Sequence, residues 1–189
     1  MRYPKEVVLK DCQEALIRPL EKDDEPSLRR FYTQIPEKDR WFMRYDVTDP
    51  EIISSWIHDP EHIFSILAVV DEDIVAHARL HMRESGCYRH MGRLRIIVSP
   101  KYRSKRLGTW MLLDLIQLAM DKDLRELRAD FVMDHEKTAI DTALKLDFFK
   151  KAILEDFVEG PDGTLLLEAA PGAPPMTTEN IKRMLADFP

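Results

Sequence analysis

Cysteine is scarce in this sequence: Cys12 and Cys87 are the only two among 189 residues. Their separation fits neither a metal site nor a redox pair, and two thiols in an intracellular protein usually stay reduced, which argues against a disulfide framework. Long apolar runs are missing as well. The longest, over 63–70, falls far short of the roughly 20 residues that a bilayer requires. The opening Met1-Arg2-Tyr3-Pro4-Lys5-Glu6 lacks the pattern of a secretory leader, so the expected location is the cytoplasm, away from membranes. No internal repeat is evident. The length suits one domain with a single sizeable core, and the composition is that of a globular protein.

A further absence is local. The chain is acidic, with a net charge of -6, yet 85–113 contains no Asp or Glu while holding Arg89, Arg93, Arg95, Lys101, Arg103, Lys105 and Arg106. A cationic window on an acidic protein suits a small polyanion, because bulk acidity repels nucleic acid. Within it, Arg93 to Val98 alternates and then turns β-branched, as a strand does, and Pro100 stops it. After Arg103-Ser104-Lys105-Arg106, the residues Leu107, Met111, Leu115, Leu118 and Ala119 recur at helical spacing, with Leu112 and Ile116 widening the face. A basic loop therefore feeds a helix start, where free N–H groups and the positive end of the dipole favour phosphate.

The flanking text reads as alternating strands and helices. A strand over 14–20 precedes a helix opened by Asp23-Asp24-Glu25-Pro26 with the stripe Leu28, Phe31, Tyr32 and Ile35. Residues 36–44 add a helical turn or two, and Asp49-Pro50-Glu51 caps a helix carrying Ile52, Ile53, Trp56 and Ile57. The aromatics Phe31, Tyr32, Trp41, Phe42, Tyr45 and Trp56 either fill the core or face a ligand. Strands over 64–70 and 74–82 form a hairpin through Asp71-Glu72-Asp73, and His77, Arg79 and His81 share one face of the second. No metal site is read there: the two imidazoles are roughly 13 Å apart along a strand, and Pro60 breaks the helix that His58 and His62 would need.

Residues 126–133 alternate as one strand with Asp130 in the middle, and Asp134-His135-Glu136-Lys137 opens a helix with Ala139, Ile140, Ala143 and Leu144 inward. A closing hairpin over 148–158 and 164–168 turns at Gly160-Pro161-Asp162-Gly163. The main domain is expected over 1–170 and a Pro-rich linker with a C-terminal helix over 171–189, the linker composition running over 169–175. Beyond it, Ile181, Met184, Leu185 and Phe188 mark an amphipathic helix. That helix either packs back or docks on a second subunit, which keeps a homodimer open.

Taken together, Val98-x-Pro100-x-Tyr102-Arg103-x-x-x-x-Gly108 before an apolar helix resembles the acyl-coenzyme-A loop of the GNAT N-acetyltransferase superfamily, with Arg103 at its first and Gly108 at its last position. Ile17-Arg18-Pro19-Leu20 and Leu144-Lys145-Leu146-Asp147-Phe148 resemble that family's first strand and its Lys-Leu-Gly-Phe ending. The resemblance spans roughly 15–167. It implies an α/β (α+β) GNAT fold: a mixed sheet of about seven strands, the fourth and fifth splayed, flanked by helices. It also implies an N-acyltransferase moving an acetyl group from acetyl-CoA to a small-molecule or protein amine. The alternative is a degenerate domain that binds acyl-CoA without turnover and serves as a regulatory or interaction module.

By the same resemblance, Ile96, Ile97 and Val98 offer a backbone edge to pantetheine, and Arg103, Ser104, Lys105, Arg106, Leu107, Gly108 and Thr109 surround the pyrophosphate. His135 joins the cofactor-binding set, and Asp130 or His90 is the expected general base. For Asp130 an ion pair with Arg95 or Arg128 is the competing expectation. Arg93 stands where relatives often carry a Glu, Arg106 where they carry Gly, and Ala143 where many place a Tyr that protonates the departing thiolate. At a helix start φ is expected to be negative, so that Arg106 fits. Arg79, Arg93 and Arg95 would favour an acceptor with a carboxylate or phosphate.

Overall fold

The structure is a computed structural model that describes residues 3–172. The architecture is mixed α/β, with a central, mostly antiparallel sheet flanked by helices. Among the described residues there are nine strands, where about seven were expected. Among the described residues the backbone clusters into two compact units: 3–82 with Leu94–Gln117, and Arg83–Arg93 with 118–172.

In the first unit, β1 (Lys5–Val8), β2 (Glu14–Pro19), β3 (Ile63–Val70) and β4 (Asp73–His81) pair in succession, all antiparallel. The strand β1 is the one the sequence reading passed over, since four residues carry too little alternation to announce themselves. The β3–β4 turn is tight because Asp71 and Glu72 both take left-handed φ, 48° and 70°, the requirement of a two-residue hairpin.

Helix α1 (Glu25–Gln34) starts with Pro26 in its first turn and stops at Ile35, which is extended (φ -69°, ψ 130°) as the residue before Pro36 must be. Helix α2 (Glu37–Arg40) is a single turn. Helix α3 (Pro50–His58) is capped by Asp49, whose side chain accepts from the Glu51 N–H at 2.9 Å. Leu28, Phe31, Tyr32, Ile53, Trp56 and Ile57 from α1 and α3 cluster with Leu67 of β3 and Ile74 of β4. Each large side chain so buried contributes roughly 1.5–3 kcal/mol.

Two elements contribute residues to both units: β5 (Met91–Val98) and α4 (Leu107–Asp121). The apolar face expected for α4 is found, with Leu107, Met111, Leu115 and Ala119 fully buried. Asp123, at φ 55°, ends it in the left-handed conformation common after helices.

In the second unit, β5 pairs in parallel with β6 (Glu126–Arg128) over three residues only, from Met91↔Glu126 to Arg93↔Arg128. The single strand expected over 126–133 is broken: β7 (Phe131–Val132) pairs instead with β9 (Leu165–Gly172). The break falls where the Ala129 N–H is taken by the Pro171 carbonyl at 3.2 Å. Helix α5 (Lys137–Lys145) follows, then β8 (Phe149–Glu159), which pairs with β9.

Residues 169–172, expected to begin a linker, are the end of β9. Pro171 is accommodated because the β8–β9 register shifts between Lys150 and Ala152 beside it, and a bulge tolerates a missing N–H. A Cβ at Gly172 would lie 2.8 Å from the flexible end of the Lys151 side chain, which can swing aside. The amphipathic helix expected over 181–188 lies outside the described residues. Among those residues, no helix is long and apolar enough to cross a membrane.

Candidate active site

The entry to α4 is held by its own charged side chains. Arg103 donates through Nε to the Val98 carbonyl at 3.1 Å and through Nη2 to Asp39 at 2.7 Å. Lys105 pairs with Asp11 at 2.6 Å and lies over the Tyr102 ring, 4.8 Å from its centroid. That ammonium, by its hydrogen bond, holds the Asp11 carboxyl below its usual range. The Lys105 carbonyl accepts from the Lys10 N–H at 3.2 Å. Two of the expected phosphate ligands therefore spend their side chains on shaping the loop.

The backbone of the same loop departs from the expected conformation. Ser104 and Arg106 have φ of 60° and 69°, so Arg106 is left-handed and the expected negative φ is wrong. A Cβ in that region costs roughly 1–2 kcal/mol, which explains why a glycine suits the position. The Trp110 N–H donates to the Arg106 carbonyl at 3.1 Å, closing the first helical turn. The N–H groups of Leu107, Gly108 and Thr109 precede that bond and have no intrahelical acceptor. No acidic residue lies in the turn. A Cβ on Gly108 would meet only Val98 Cγ2, at 3.6 Å, so the protein itself leaves room for one. Leu107 is fully buried and Ile97 packs in the core, while Ile96 and Val98 are half-buried on the same strand. These ten cofactor candidates, 96–98 and 103–109, all belong to the first unit.

The second unit holds the proton-transfer candidates. Asp130 sits between β6 and β7, buried, with Arg128 Nε donating to one carboxylate oxygen at 2.7 Å and Arg93 Nη2 on the other. Arg128, an expected ion-pair partner, is in place, and Arg93 also pairs with this carboxylate. Arg93 thus leaves the arginine set expected for an acceptor anion. His90 is half-buried just before β5, and its carbonyl accepts from the Arg125 and Glu126 N–H groups at 2.9 and 3.2 Å. His135 donates its N–H to the Val132 carbonyl at 3.1 Å, two residues before α5. Ala143 is buried in α5.

A third group lies entirely in the first unit. On β4, His77 and Arg79 point to the face covered by α1 and α3. The Tyr32 hydroxyl and His77 Nδ1 are 2.8 Å apart, and the Tyr32, Trp56 and His77 rings make tilted and T-shaped contacts with centroids 5.5–5.9 Å apart. The Arg79 guanidinium carbon lies 3.5 Å from the Trp56 centroid. Burial, reinforced by the nearby Arg79 and His81 charges, pushes His77 well below the usual histidine range, so it is neutral at pH 7. Burial also raises the Tyr32 phenol, which stays protonated.

The sequence placed His77, Arg79 and His81 on one face but did not connect them to Tyr32 and Trp56. The available signal was three polar residues at period two in a strand otherwise fit for the core.

The model of the acetyltransferase (GNAT) family matches residues 21–148. Among solved structures, a ribosomal-protein-alanine N-acetyltransferase from Brucella melitensis superposes with a TM-score of 0.71 at 19% identity, covering 83% of this chain and 98% of its own. The GNAT domain of PAT from S. lividans gives 0.73 at 17%, covering 90% and 98%. A protein from Salmonella typhimurium, solved with its cofactor acetyl-CoA, gives 0.72 at 16%, covering 85% and 93%. A comparison with curated protein sequences finds no significant match.

Proposed function

The chain belongs to the acetyltransferase (GNAT) family, and from that premise we propose that it moves an acetyl group from acetyl-CoA to a primary amine by direct attack. The observation that supports this most is the entry to α4: open N–H groups at 107–109, no carboxylate in the first turn, and a left-handed Arg106 beside them. Such a turn suits the pyrophosphate of the donor, with backbone amides and Arg106 supplying the contacts. Arg103, Lys105 and Ser104 keep the loop in shape. Ile96, Ile97 and Val98 are assigned to pantetheine. His135 is assigned to the same ligand.

In the reaction the amine lone pair attacks the thioester carbonyl carbon, and the tetrahedral intermediate expels the thiolate as the C–S bond breaks. The amine loses one proton to a base, and the thiolate gains one. An alkylammonium ionises near pH 10, so a base is worth roughly 10²–10⁴-fold in rate. Asp130 has both oxygens engaged by guanidiniums, and we assign it a positioning role. His90 is the proton carrier in this reading.

Calorimetry should show micromolar binding of acetyl-CoA, and free thiol should appear only when an amine is added. Absence of binding overturns the proposal. Binding with no thiol release from any amine supports instead a non-catalytic acyl-CoA module, a reading favoured by the lack of a proton donor at the buried Ala143.

A further inference from the structure

We propose that the acceptor amine carries a carboxylate and that Arg79 binds it, an inference that rests on the acyl-transfer reading for the word acceptor but on the first unit alone for the site. Four charged side chains of the described residues are buried: Asp24, Arg79, Asp114 and Asp130. Each acid has a cation against it. Arg18 grips Asp24 with two 2.6 Å bonds, Lys5 meets Asp114 at 2.6 Å, and Arg93 and Arg128 flank Asp130. The buried cation has no acid. Arg79 is 5% exposed, no carboxylate among the described residues pairs with it, and its Nη1 has no hydrogen-bond partner.

Trp56 accounts for only part of this arrangement. At 3.5 Å the ring covers a face of the guanidinium plane and returns some attraction to the charge. The N–H donors lie in the plane, not on its face, so stacking leaves those of the buried Nη1 unanswered. A cation taken from water with such donors unmet costs more stability than one stacking contact restores, and a core built for stability alone does better with an apolar side chain there.

The surroundings match an oxyanion rather than a cation. Tyr32 and His77 are neutral, and the Arg95 guanidinium is close enough to act on the Arg79 charge. Directly across the strand pair from Arg79 stands Ser65, whose Oγ is buried without a partner and can donate to the same ligand. Segment 41–49, held by neither ladder nor helix, carries the half-exposed Tyr45. A planar carboxylate accepting in the plane of the guanidinium completes the set.

The test compares acceptors in the thiol-release assay: an amino acid, its amide, an alkylamine of equal length and the matching aminoalkyl phosphate. The intact protein should prefer the amino acid over its amide by at least about tenfold in kcat/KM, mainly through KM. Arg79→Met should bring that ratio to about one, with the acetyl-CoA Kd unchanged, and Arg79→Lys should restore part of it. Equal use of acid and amide, a ratio that survives Arg79→Met, or preference for the phosphate overturns the proposal. If acetyl-CoA binds and no acceptor releases thiol, the acyl-transfer reading fails while the carboxylate site is read separately. Amino-acid titration should then change the tryptophan fluorescence of the intact protein saturably, with no such change in Arg79→Met. Absence of that change overturns the site.

Discussion

Arg18 and Arg79 are arginines of the same unit with opposite surroundings. Arg18 is joined to Asp24 through two 2.6 Å bonds, and Asp24 also accepts the Glu21 N–H at 2.8 Å, so the pair fixes the turn that leads into α1. Arg79 lies on Trp56 in a deeper site with no acid to meet it. The contrast separates two uses of a buried charge. One is satisfied within the fold and holds it together; the other is left unsatisfied by the fold and awaits a ligand.

The largest expected effect tests the first half of that contrast. Asp24→Ala strands Arg18 and the Glu21 N–H, and should lower stability by about 3 kcal/mol in urea denaturation. Arg79→Met, by comparison, should leave stability unchanged or raise it by about 1 kcal/mol. Equal losses in the two variants would erase the distinction.

Acid sharpens it further, because the two clusters titrate in different windows. His77 has a folded pKa well below its unfolded value near 6.5, so the unfolded chain binds more protons and stability falls as pH drops below about 6.5. The slope is at most about 1.4 kcal/mol per pH unit, and His77→Asn should remove it. Asp24 resists protonation despite its burial, because Arg18 and the Glu21 N–H bond its charged form. Its contribution is complete above about pH 4 and is lost only as pH falls through its lowered folded value.

The entry to α4 extends the comparison to backbone. Gly108→Ala adds a methyl group in ordinary contact with Val98 and should fold at least as stably, yet weaken acetyl-CoA binding about tenfold by obstructing the N–H groups. Unchanged affinity would remove Gly108 from the binding surface. The smallest effect is expected at Arg106→Gly: relief of a strain of about 1–2 kcal/mol, less the entropy of a new glycine, leaves about 0.5 kcal/mol of added stability in thermal unfolding. Acetyl-CoA titration of the same variant reports whether the guanidinium contributes to binding.

Much of this molecule could be read along the chain. The stripes of α1, α3 and α4 and the Asp49 cap depend on residues within four positions of one another, and all were found where their spacing put them. The turn at Asp71-Glu72 was legible for the same reason. Strand 126–133 was not, because its alternation is continuous and the break is imposed by the Pro171 carbonyl of a distant strand. The left-handed Arg106 was missed too: nothing in its neighbours signals the sign of φ, which follows from a loop tied to Asp11, Asp39 and Lys10.

The sequence by itself determined the periods, the caps, the basic window and the order of elements that places this chain in its family. Only the tertiary structure decided which charges are answered. Nothing local announced that Arg93 would meet Asp130, or that Arg79 would lie on Trp56 and lack an acid. Periodicity is set by bonds between near neighbours, whereas the partner of a buried charge is set by strand register and by which helix covers the sheet, and those are properties of the whole fold.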